Sequence, residues 1–271
     1  MPNVAGISSG DWDDASYAIL NADTSTARDS TTAPVTTHLS TATVGHGKIF
    51  SSKGIYRYAV AFDLGGNDTT GANISGTVAS ANLVITTAAN LTGFSKTTAN
   101  TSNTVYLVKM SGYGSEISDQ GTFNDMDGWV SSGSYDGNVT LYEDGNVTEA
   151  ASSTLTFTLN STAITDINSA ISSGSTLPMM LVSEDDFLYV TATGGLGTPE
   201  GPSGFFTGEG IRVNTTEATS GTPYLSLTYA ASGYGHDVSG VSNASIKKVN
   251  GIARSPVLIS NPKIEKISGS E

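Results

Sequence analysis

The chain contains no cysteine, which excludes disulfides, thiolate metal sites and cysteine nucleophiles. Its 271 residues include only three histidines, and only 14% are charged, so solubility rests on hydroxyl and amide side chains. No window approaches the ~18 consecutive apolar residues of a membrane span. No run of Ala, Leu, Glu and Lys is long enough for an extended helix. Residues 1–20 hold neither Lys nor Arg and no continuous apolar stretch, so a secretory signal is not expected. Binding nucleic acid through phosphates demands clustered Lys and Arg, whereas residues 1–236 hold 7 basic and 22 acidic residues, a net of −15. Neither nucleic acid nor a membrane is expected as a partner.

What is abundant is Ser, Thr, Gly and Asn, a composition that favours strands and turns. Residues 1–230 read as short strands separated by turn signals, the pattern of a sandwich or barrel. The strongest strand is 56–64, where Tyr56, Tyr58, Val60, Phe62 and Leu64 share one face by the period of two and should form core. Further strands are expected at 81–87, 104–110, 139–142, 154–159, 177–182, 187–191, 211–213 and 224–229. One helix is expected over 163–172, where Ile164, Ile167 and Ile171 recur at helical spacing, with Ser161 or Thr162 as N-cap and Gly174 after its end. Segments 65–71, 131–137 and 194–204 read as loops.

The order Gly45–Gly47, then Arg57-Tyr58-Ala59-Val60-Ala61-Phe62-Asp63-Leu64, then Ser80-Ala81-Asn82-Leu83 resembles the DNRLRE-type domains. Leu155 to Leu159 leading into Ile164-Thr165-Asp166-Ile167, and Pro223 to Tyr229 as a closing strand, extend the resemblance over about 200 residues. It implies an all-β fold, a jelly-roll-like antiparallel β-sandwich with one short helix, and it implies no catalytic set.

Residues 231–271 form an extended C-terminal tail with its own character. Ser245-Ile246-Lys247-Lys248-Val249-Asn250-Gly251 recurs eighteen positions later as Lys263-Ile264-Glu265-Lys266-Ile267-Ser268-Gly269, and residues 237–271 carry five cations and three anions, a net of +2. A change of sign together with a repeat marks a segment with a separate task. Ile246-Lys-Lys-Val-Asn-Gly-Ile252 is similar to C-terminal segments of structural proteins in marine tailed bacteriophages. That resemblance implies a virion protein, a capsid decoration or tail-fibre component at the particle surface, which is homo-oligomeric and contacts neighbouring virion subunits. Ile246, Val249, Ile252, Ile264 and Ile267 would insert into a neighbour's grooves or pair with its sheet edge, and the tail would order on binding. Phe205 and Phe206, adjacent in a Gly-rich loop, are further candidates for a partner contact.

Catalytic chemistry finds no anchor. There is no Gly-x-Ser-x-Gly elbow, and nothing singles out a carboxylate pair for glycoside cleavage. His38 and His46 would lie about 26 Å apart on one strand; Gly45-His46-Gly47 reads as a turn, and His236 is alone. The acidic groups Asp11, Asp13 and Asp14, Asp125 and Asp127, and Glu184, Asp185 and Asp186 lack the spacing of a calcium loop and read as solvated turn carboxylates. If one of them held a structural Ca²⁺, the first would be the choice; no other cofactor is expected. An alternative function is carbohydrate binding, in a receptor-binding fibre or cell-surface protein that holds a host surface glycan. Trp12, Trp129, Tyr113 and Tyr135 would then form the stacking platform, and their burial would favour the scaffold reading.

Overall fold

The computed structural model describes residues 3–5, 15–21, 24–29, 35–36, 40–49, 52–68, 71–87, 104–111, 123–131, 133–147, 154–188, 207–230, 248–249 and 252–253. The chain divides into two compact units, 1–228 and 229–271.

The first unit contains strands β1 (Asn3–Ala5), β2 (Ala15–Asn21), β3 (Val35–Thr36), β4 (Thr41–Ile49), β5 (Ser52–Asp63), β6 (Val78–Thr86), β7 (Thr104–Lys109), β8 (Leu141–Val147), β9 (Thr154–Thr158), β10 (Thr176–Ser183), β11 (Thr207–Asn214) and β12 (Tyr224–Tyr229). Helices α1 (Thr24–Arg28), α2 (Ser161–Ser173) and α3 (Glu184–Phe187) interrupt them. One sheet has the order β1-β12-β6-β9, the other β11-β4-β5-β10-β7-β8 with β2 and β3 attached.

Eight of these strands have the topology of a jelly roll. β1 pairs with β12, β5 with β10, β6 with β9 and β7 with β8, all antiparallel. The first of the set therefore pairs with the last, the second with the next to last, and so on inwards, as in a long hairpin rolled into two sheets. The all-β sandwich expected from the turn-rich strand pattern is the fold.

β5 is the hub of the larger sheet. Along one edge it pairs with β2, from Lys53 to Ala59. Along the other it pairs first with β4, up to Tyr56, and then with β10, from Tyr58 onward. The handover falls on Arg57. The expected face of Tyr58, Val60 and Phe62 is buried, with Tyr56 half-buried, and so is the opposite face of Ile55, Arg57, Ala59 and Ala61. A second apolar cluster lies on that face, where Ile55, Ala59, Ala61, Met180 and Val182 meet Phe123, Met126, Tyr135 and Phe187. Segment 123–139 is thus a lid over the sheet. It is tied down by backbone hydrogen bonds from Asp127 N to Lys109 O (2.9 Å), from Lys109 N to Thr140 O (2.9 Å) and from Tyr135 N to Phe187 O (2.7 Å).

Three local expectations are corrected. Residues 45–47 lie inside β4, where Gly45 faces Tyr56 and Gly47 faces Gly54; glycine is tolerated in a strand where backbones approach closely. Residues 184–187 form a helical turn rather than leading into a strand at 187. The α2 N-cap is Asn160, whose side-chain oxygen accepts from Ala163 N at 3.1 Å, while Gly174 closes the helix in the left-handed region at φ 64° as expected.

In the second unit, Lys248–Val249 and Ile252–Ala253 pair as antiparallel strands β13 and β14, with Val249 opposite Ile252. The intervening Asn250 and Gly251 are the pair most favoured in two-residue hairpin connections.

The lid depends on one glycine. Gly128 has φ 81°, and a Cβ there would lie 2.1 Å from the carbonyl oxygen of Asn138. Gly137 has a similar φ of 74° but open space around it. Gly137→Ala should therefore cost only the left-handed backbone strain, about 1 kcal/mol, and Gly128→Ala clearly more, as read by urea unfolding. Equal costs would show that the lid does not need this close approach.

Candidate functional site

The most concentrated polar chemistry among the described residues lies beneath the lid. Arg57 projects from the strand handover into the second core and is fully buried. Its Nε donates to Asp186 Oδ2 at 2.6 Å and its Nη2 to Asp186 Oδ1 at 3.0 Å, a bidentate pair. Nη1 donates to the Phe123 carbonyl (2.6 Å) and to Asn124 Oδ1 (2.7 Å), and Nη2 also donates to the Tyr135 hydroxyl (2.8 Å). All five guanidinium N–H donors have an acceptor. Its plane lies over the Phe123 ring at 3.9 Å.

Asp186 receives a second cation. Arg28, at the end of α1, donates from Nε to the Asp186 backbone oxygen at 3.0 Å and to its Oδ1 at 3.1 Å. The same guanidinium stacks on the Tyr135 ring at 3.7 Å and lies 3.8 Å from Asp29. Trp129 Nε1 donates to the Tyr135 hydroxyl at 3.0 Å.

Burial alone would push the Asp186 carboxyl up, but Arg57 first and Arg28 second hold it below the usual carboxylate range. Burial alone would likewise lower Arg57, and Asp186 together with Tyr135 reverses that, so the guanidinium is held charged. Desolvation pushes Tyr135 up to about 12 despite the neighbouring arginines. Both charges of the Arg57–Asp186 pair are thus held, and every Arg57 donor is engaged. The chemistry of the cluster is that of a clamp joining β5, α1, α3 and the lid.

A second, half-exposed cluster joins β7, β8 and α2. Lys109 Nζ lies 2.9 Å from Asp166 Oδ2, to which the Tyr142 hydroxyl donates at 2.8 Å. Burial, then the hydrogen bond to Asp166, raise Tyr142 well above the ordinary tyrosine range. Nearby, Thr140 Oγ1 donates to Asp127 Oδ2 at 2.5 Å.

A groove of about 490 Å³ runs between the 65–77 loop and α2, lined by Asn73, Ser75, Thr77, Asn168 and Ser172 among others, with no charged residue. The Asn168 amide bridges Val78, accepting from its N–H at 2.7 Å and donating to its carbonyl at 3.0 Å. Among the described residues that line the groove, none is charged.

Of the sugar-platform residues, Tyr135 is corrected: it is fully buried beneath the lid between two arginines and cannot stack on a ligand. Trp129 is half-buried with its indole N–H engaged. Asp186 is corrected from a solvated turn carboxylate to a buried ion-pair partner. Asp125 and Asp127 are half-buried, and among the described residues no group of three or more His, Cys, Asp or Glu is placed to hold a metal. His46 lies opposite Glu209 and Ile55 in the sheet. Val249 and Ile252 lie in the tail strands. Trp12, Tyr113, Phe205, Phe206, Asp11, Asp13, Asp14, Ile246, Ile264, Ile267, His38 and His236 lie outside the described residues.

Among the described residues no helix is long and apolar enough to cross a membrane. No protein-family model matches the chain, and no curated protein matches it at a significant level.

Removing one partner of the clamp leaves the others charged and buried. Asp186→Ala should cost about 3–5 kcal/mol, and Arg57→Met with Asp186→Leu together less than the sum of the single changes, in a double-mutant cycle. The lowered carboxyl sets the acid dependence. The contribution of Asp186 is complete above its unfolded value of about 3.9 and is lost as pH falls through its folded value. Asp186→Asn should therefore flatten the loss of stability below about pH 4, read by urea midpoints across pH. An unchanged acid limb would show that the pair does not hold the fold.

Proposed function

We propose that this chain is a non-enzymatic structural protein of a virion, a decoration or fibre component in which the first unit is a rigid knob and the C-terminal unit attaches it to neighbouring subunits. The observation that carries the reading is a coincidence of boundaries. The point at which the sequence turns from acidic to basic and begins to repeat falls close to the boundary between the compact units 1–228 and 229–271. A segment that differs in charge, pattern and packing from the body beside it is suited to a different contact.

Two further features support it. Among the described residues the most concentrated polar cluster is directed inward, with all five Arg57 donors engaged, as suits a knob that acts by shape. The jelly roll, together with the resemblance to DNRLRE-type domains, agrees with a surface module. Glycan binding draws less support, because Tyr135 is buried and Trp129 is engaged with it.

The test is a particle assembled with a chain lacking residues 237–271. Incorporation should be lost while the β-type far-UV spectrum and cooperative unfolding of residues 1–236 persist; normal incorporation would refute the assignment. The intact chain should release no product from a panel of polysaccharides and esters. Turnover that vanished in Asp127→Asn would mark it as an enzyme.

A further inference from the structure

The groove between the 65–77 loop and α2 takes no part in the clamp, and both of its walls are firmly built. α2 is capped at its two ends, by Asn160 and by Gly174. The loop is closed on itself by hydrogen bonds from Asp68 N to Ala72 O (2.7 Å), from Ala72 N to Asp68 Oδ1 (2.9 Å) and from Ile74 N to Gly66 O (3.2 Å), and the Ile74 side chain is buried. The walls are also fixed to each other. Asn168 of α2 holds both backbone groups of Val78, and Gly65 approaches Gly174 so closely that a Cβ on Gly65 would lie 2.6 Å from the Gly174 oxygen. A groove of about 490 Å³ lies within the size range of small-molecule sites. Because it is already formed, little ordering has to accompany binding.

Its lining is neutral and uncommitted. Thr165, Ser169 and Ser173 of α2 each donate to the carbonyl four residues back, whereas Ser172, which lines the groove, does not. Asn73, Ser75, Thr77 and Ser172 all line it, and their side chains make no hydrogen bond or ion pair among the described residues. Three hydroxyls and a carboxamide can each both donate and accept, which complements a ligand rich in hydroxyl groups. Ile171, half-buried in the same lining, offers an apolar surface to C–H groups. No cation is there to pair with a carboxylate, sulfate or phosphate, and the 22 acidic residues of 1–236 against 7 basic ones repel a polyanion.

We propose that the groove binds a neutral saccharide, through hydrogen bonds rather than aromatic stacking. The site is separate from Trp129 and Tyr135 and does not depend on the chain being a virion protein. Its hydrogen bonds replace bonds to water and no ring lines it, so a single site binds weakly, with a Kd on the order of millimolar.

Amide NMR spectra of the intact chain test this, titrated separately with neutral hexasaccharides of glucose, mannose and galactose, with an oligogalacturonate, and with an uncharged Gly-Ser peptide. At up to about 20 mM, a neutral saccharide should shift the signals of residues 73–77 and 168–174 saturably, and the oligogalacturonate and the peptide should not. Asn73 and Ser172 are exposed, so Asn73→Ala and Ser172→Ala should leave the fold intact. Each should weaken binding about three- to tenfold, the worth of one neutral hydrogen bond. Ser169→Ala, on the same helix but outside the groove, should leave binding unchanged. Signals in both segments that stay unshifted with every saccharide, equal binding of the oligogalacturonate or the peptide, or Ser172→Ala binding as well as Ser169→Ala would each overturn the proposal. None of these results would touch attachment through the tail, which is read by incorporation into particles.

Discussion

The ion pair between Arg57 and Asp186 joins widely separated stretches of chain. Removing a guanidinium and a carboxylate from water costs several kcal/mol per ion, and their attraction offsets that only when the remaining donors and acceptors are also satisfied. Arg57 meets this condition with acceptors from three separate stretches of chain: Asp186 after β10, Phe123 and Asn124 at the start of the lid, and Tyr135 further along it. Arg28 ties in a fourth stretch as a second donor to Asp186. None of these stretches can leave without stranding a buried charge, so a segment with little regular structure is held over the sheet in one arrangement.

The position of Arg57 within β5 explains why the charge sits there. At Tyr56 the strand still pairs with β4, and by Tyr58 it pairs with β10. Arg57 thus stands at the one residue of β5 between the two pairings on that edge. Ala59 and Ala61 beyond it are small, which lets the lid approach the backbone closely. Tyr106 stacked on Phe187 at 4.1 Å fills the far side. A strand buried on both faces usually reads as a continuous apolar run; here a single arginine interrupts the run and marks where the second core needs a polar anchor.

The fold was legible in the sequence and the clamp was not, for related reasons. Alternation in 154–159 and 224–229, turn residues between strands and a capped helix with Gly174 after it are local signals, and each element formed near its expected place. Of the strands before residue 50, β1 and β3 are only three and two residues long and β4 contains glycine, which hid them; β2, Ala-Ser-Tyr-Ala-Ile-Leu-Asn, has neither feature, and its Tyr17 and Ile19 alternation was a usable signal. The clamp joins positions up to 158 residues apart, and no local pattern announces such a pairing. The available signal was Arg57 itself, a charge inside the otherwise apolar run Ile55–Phe62, which demands a buried carboxylate somewhere. Asp186 was hidden among Glu184 and Asp185, where three adjacent acids look like a solvated turn. The tail hairpin had a plainer signal in Asn250-Gly251 between Val249 and Ile252, a strong local mark of a two-residue connection.

The clamp also shapes what the body presents to other molecules. A domain with seven cations uses two of them in its interior and a third on Asp166. The stability gained inside thus makes the remainder of the body almost uniformly anionic. Such bodies repel one another at close range, and the repulsion grows as salt is lowered. Side-by-side packing of knobs through their own surfaces is therefore electrostatically opposed. A contact that brings copies together must carry positive charge to the interface or rely on apolar area large enough to outweigh the repulsion. Five of the residues that can supply the charge lie within residues 247–266, outside the unit whose folding occupies three of its own seven cations.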